Sequence, residues 1–109
     1  SPFEKDRAMG LSIEIAKIFL KNCPRQAREI ESAIQQQDCR RLELAAHTIK
    51  NSLGYFGAKT GARAAERLEA LGQTMHLELA AEIYLELTYE IEALIQKIEA
   101  LVQQQGEGR

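Results

Sequence analysis

Tryptophan is absent, aromatic residues make up 6% of the chain, and prolines number two. With so few chain breakers, and with a surplus of Ala, Leu, Glu, Gln, Ile, Lys and Arg, the composition favours helix throughout. The two cysteines, Cys23 and Cys39, follow no metal-ligand spacing and read as reduced thiols of a cytosolic protein. No apolar run is long enough to span a bilayer, and no signal peptide is visible. These absences predict a cytoplasmic domain without membrane contact. Net charge is -2, which does not fit a general nucleic-acid binder. There is no Ser-His-Asp order, no Gly-rich phosphate loop and no paired-carboxylate motif. His47 and His76 have no carboxylate or thiolate placed to complete a metal site, so no intrinsic cofactor is expected. The start at Ser1-Pro2 suggests a piece of a longer chain or a processed end.

What is present reads as one domain over residues 1–109, long enough to bury a core. Phe3 to Met9 form a short helix stopped near Gly10. Ser12 is the expected N-cap of the next helix, and Leu11, Ile15, Ile18 and Phe19 are its apolar side. Ala27, Ile30 and Ile34 resume that spacing beyond Pro24, which leaves one bent helix or two helices meeting there. Asp38 caps the helix that bears His47, which ends around Phe56-Gly57. A third helix begins near Lys59-Thr60 with Thr60 as its cap. Its buried face is Ala64 or Ala65, Leu68, Leu71 and Met75, and Gly72 and Gln73 loosen its end. The last helix carries Ala80, Tyr84, Leu87, Ile91, Leu94, Ile98 and Leu101, a four-three alternation, with Leu77, Ile95 and Val102 widening the stripe. The tail, residues 103–109, has no apolar residue and is expected to fray. Short loops make neighbouring helices antiparallel. The predicted fold is all-α, an antiparallel four-helix bundle with a short extra N-terminal helix across one end.

The chain is organised around Ala45 to Ala58. Leu42, Ala46, Ile49, Leu53 and Phe56 recur at helical spacing and form one buried stripe. His47 then lies roughly 140° from the middle of that stripe and points at water, with Lys50 and Gly54 on the same side. Imidazole can hold a phosphoryl group on nitrogen, and a nearby ammonium would offset its charge. Glycine inside a helix costs roughly 1 kcal/mol relative to alanine, so Gly54 wants a reason; close approach of another protein supplies one.

This stretch resembles the histidine-containing phosphotransfer (HPt) family. The pattern is His-x-x-Lys-x-Ser followed by Gly-Ala, here His47, Lys50, Ser52 and Gly57-Ala58. The resemblance spans nearly the whole chain. It implies a helical bundle acting as a phosphorelay intermediate of two-component signalling, with His47 as phosphoacceptor and Lys50 as the assisting cation. Asn51 departs from the pattern, since the family usually has glycine after the lysine.

The implied partners are receiver domains of response regulators, which would supply magnesium, and a sensor histidine kinase in the same or another chain. Leu44, Asn51, Gly54, Gly57, Lys59 and Arg63 are the expected docking or site-adjacent positions. Lys59, Arg63 and Arg67 form a basic stripe suited to steering an acidic partner. Two rival readings stand beside this one. In the first the bundle is a structural adaptor or dimerisation module and His47 is incidental. In the second a kinase domain loads His47, as in chemotaxis-type kinases.

Overall fold

A computed structural model of the chain describes the backbone of residues 9–107 and the side chains of residues 13–105. It contains four helices: α1 (Met9–Gln35), α2 (Cys39–Tyr55), α3 (Lys59–Thr74) and α4 (Ala80–Glu107). Successive helices pack side by side, and α4 closes the ring against α1. This is the four-helix bundle expected from the sequence. The short helix expected from Phe3 falls outside the described residues up to Ala8, and Met9 already belongs to α1. Gly10 does not stop a helix and Ser12 does not cap one; both lie within α1. A single glycine costs a helix only about 1 kcal/mol, too little to end one whose apolar stripe continues. Pro24 lies inside the same unbroken helix, on its exposed side, where a carbonyl left without its donor can turn to water.

The core is one apolar cluster drawn from all four helices. Ile30, Leu42, Ile49, Leu53, Leu68, Leu87 and Ile98 are fully or almost fully buried within it. Ile83, outside the predicted stripe of α4, is also buried. Phe19 of α1 meets Phe56 at 5.0 Å between ring centres. The Tyr84 hydroxyl donates to the Ala27 carbonyl at 3.1 Å and joins α4 to α1. With 27 and 28 residues against 17 and 16, α1 and α4 run on past the α2–α3 turn by roughly 15 Å at 1.5 Å per residue. Residues 103–107, expected to fray, continue α4 as helix. Three of them are glutamines, which favour helix even without apolar contacts.

The helix ends fix where α2 and α3 meet. Asp38 caps α2 by accepting the Arg41 amide at 3.1 Å. At the other end Ala58 N–H bonds to Leu53 O and Gly57 N–H to Gly54 O, with Gly57 at φ 75°. This pairing closes the helix with one left-handed residue, the conformation glycine adopts most cheaply. Gly57 is therefore explained by the turn itself. Gln37 and Met75 take the same left-handed position after α1 and α3. For Met75 that turn carries the side chain out of the bundle, so it is 73% exposed and does not join the buried face. Thr60 is the second residue of α3, whose N-cap is Ala58 without a side-chain bond. Gly72 does not loosen α3. It is buried, and a β-carbon there would lie 2.7 Å from the Cys39 carbonyl oxygen and 2.9 Å from the Glu43 nitrogen. Glycine lets α3 press directly on the backbone at the start of α2.

Candidate functional site

The close α2–α3 pair brings together residues far apart in sequence. In α2 the stripe Leu42, Ala46, Ile49 and Leu53 is completely buried, which turns His47 outward toward α3. Its side chain is 52% exposed. On α3, Leu68 is fixed in the core, so Glu69 falls on the flank next to α2. Glu69 holds both cationic or basic groups of the predicted site. One carboxylate oxygen meets His47 Nδ1 at 2.9 Å, and the other accepts from Lys50 Nζ at 2.9 Å. The Glu69 side chain is only 13% exposed, and that of Lys50 26%.

The electrostatics follow from this arrangement. The Lys50 ammonium holds the Glu69 carboxyl below the ordinary carboxylate range; partial burial opposes it, and the His47 hydrogen bond adds to it. Glu69 raises Lys50 above the ordinary lysine value in return, again against burial. Glu69 is therefore ionised near neutral pH. An ionised carboxylate only accepts, so the hydrogen in its contact with His47 sits on Nδ1. In the neutral ring this leaves the lone pair on Nε2, the nitrogen away from Glu69.

The other predicted positions divide. Leu44 and Tyr55 are exposed at 51% and 59%. Asn51 is exposed and makes no hydrogen bond among the described side chains. Gly54 is also exposed, and a β-carbon there would meet nothing within 4 Å. No internal packing accounts for it. Lys59 and Arg63 are exposed without an ion pair among the described residues, whereas Arg67 turns to α4 and meets Glu86 at 3.0 Å. His76 lies in the α3–α4 turn, and its backbone N–H bonds to Leu71 O at 3.2 Å. Both cysteines are free; Cys23 is buried in the core, which pushes its thiol up to about 11. No group of three or more metal-ligating side chains occurs among the described residues, and no described helix is long and apolar enough to cross a membrane.

Glu69 is the site residue that sequence reasoning missed. A usable signal was there: Leu68 belongs to the buried stripe, so its neighbour must flank it, about 100° round the helix.

The structure is thus a four-helix bundle that presents an exposed, carboxylate-anchored histidine at the middle of a helix. The family model described as Hpt domain matches residues 14–104, and the chain belongs to that family. The family's role is phosphorelay in two-component signalling, in partnership with receiver domains. No curated protein and no solved structure gives a significant match to the chain.

Proposed function

We propose that His47 accepts a phosphoryl group on Nε2 from the phosphoaspartate of a receiver domain and passes it to the aspartate of another receiver. The observation that carries this reading is the Glu69 carboxylate bridging His47 Nδ1 and Lys50 Nζ at 2.9 Å each, beside an open surface. In the forward step the Nε2 lone pair attacks phosphorus, the N–P bond forms, and the acyl P–O bond breaks to release the receiver's aspartate as carboxylate. The ring keeps its hydrogen on Nδ1 and so gains positive charge as the bond forms. The Glu69 carboxylate is already in contact with that hydrogen and offsets the charge without moving. Lys50 neutralises Glu69 at rest and has further N–H groups to offer the phosphoryl oxygens. Passing the group on reverses these events.

The docking surface is the outward side of α2 around His47. Leu44 and Tyr55 give it apolar contact, and Gly54 lets a partner's backbone approach. Lys59 and Arg63 favour the carboxylate cluster in which a receiver's aspartate sits. Magnesium belongs to the receiver's half of the reaction. Asn51 stands one turn after His47 and adds bulk at this surface.

The test is incubation of the protein with a phosphorylated receiver, and separately with an isolated ATP-binding kinase domain and ATP. We expect an acid-labile, alkali-stable label from the receiver alone. Labelling by the kinase domain alone would favour a directly loaded chemotaxis-type module, and no label from either would leave a structural adaptor.

A further inference from the structure

Helix α4 has two apolar faces. The inner one, with Ala80, Ile83, Leu87, Ile91 and Ile98, belongs to the core. On the opposite side Leu85 and Tyr89 stand one turn apart, exposed at 68% and 74%. Single exposed apolar residues are ordinary. This pair differs because it is continuous and framed. Residues 82, 85, 89, 92 and 96 step by three and four, so Glu82, Leu85, Tyr89, Glu92 and Gln96 form one outward stripe with carboxylates at both ends of the apolar pair. All five are exposed, and neither glutamate has an ion-pair partner among the described residues. On the neighbouring helix the outward side of α1 is mostly basic, with Lys17, Lys21, Arg25 and Arg28 exposed beside Glu14.

We propose that the outer face of α4 is a second docking surface, separate from the His47 surface, and that it takes a cationic amphipathic helix of a partner protein. The spacing of Leu85 and Tyr89 fits the apolar ridge of a crossing helix. Charge complementarity names the rest: Glu82 and Glu92 favour lysine or arginine on either side of that ridge and disfavour an acidic helix. The surface lies away from the phosphoryl site, so its occupation does not depend on the chemistry of His47.

The probe is a synthetic helical peptide with leucine on one face and lysine on the others, titrated into the isotope-labelled full chain and followed by amide chemical shifts. We expect shifts centred on residues 82–96, the same with His47→Gln as with the parent. Leu85→Ala with Tyr89→Ala should weaken binding by about tenfold or more, since apolar anchors at the middle of an interface carry most of its affinity. Glu82→Gln with Glu92→Gln should remove most of its salt dependence. Shifts centred elsewhere, equal binding of the same peptide with glutamate for lysine, or no loss on truncating Leu85 and Tyr89 would overturn the proposal. So would self-association of the protein lost on changing either Leu85 and Tyr89 or Arg25 and Arg28, which would make a second copy the occupant.

Discussion

His47 and His76 are the chain's two histidines, and both face solvent. Exposure does not separate them; anchorage does. His76 follows a left-handed turn residue, and its ring has no hydrogen-bond partner among the described residues. His47 stands on a rigid helix above a buried stripe and is held at Nδ1 by a carboxylate that Lys50 also holds. A reactive histidine needs one nitrogen tied and the other free. The difference rests on Glu69, which lies on a different helix from the histidine it anchors.

The sharpest way to break the comparison is to remove each histidine in turn. His47→Gln is expected to abolish phosphoryl uptake and His76→Gln to leave it intact. Neither should move stability by more than about 0.5 kcal/mol, the usual range at exposed sites. Loss of labelling on changing His76 alone would reverse the assignment. Next in size is the support beneath His47. Leu53 is completely buried, and its truncation to alanine should cost roughly 2–5 kcal/mol in chemical unfolding. A variant that unfolds like the parent would mean that the helix, and with it His47, is turned the other way.

A smaller effect is expected at Glu69. Glu69→Ala frees Nδ1 and should slow uptake from a phosphorylated receiver by about 10–100-fold, by analogy with losing the partner that orients a metal-bound histidine. Its contribution to stability also has a pH signature. The folded-state pKa lies below the ordinary value of 4.5, so the contribution is fully present above that value and is lost as pH falls through the depressed one. Glu69→Gln should flatten the acid limb of the unfolding curve; an unchanged limb would place the titration elsewhere.

The smallest effect belongs to Asn51. It is exposed and unbonded beside His47, and Lys50 already offers a charged donor, so its bulk should matter more than its amide. Asn51→Gly is expected to speed transfer a few-fold with phosphohistidine lifetime unchanged. Slower transfer at equal helicity would make the amide part of the site.

Much of this was legible in the sequence because it repeats within single helices. The stripe Leu42, Ala46, Ile49 and Leu53 needs no neighbour to be read, and it settles the exposure of His47. The misreadings arose where a local pattern meets a tertiary contact. Met75 continues the spacing of α3 but sits one residue beyond its end, in a left-handed turn that no glycine announces. Gly72 resembles a weak helix end, yet it is a point where α3 packs directly on the backbone of α2. That approach sets the register of the two helices and so brings Glu69 to His47, 22 residues away. Periodicity within one helix carries no information on the register between two.

The most direct measurement is the position of the phosphoryl group itself. After transfer from a phosphorylated receiver, nitrogen-15 and phosphorus-31 resonances of the histidine rings identify both the residue and the ring nitrogen. We predict one phosphohistidine, at His47, with phosphorus on Nε2 and hydrogen retained on Nδ1 against Glu69. Phosphorus on Nδ1, or on His76, would contradict the account.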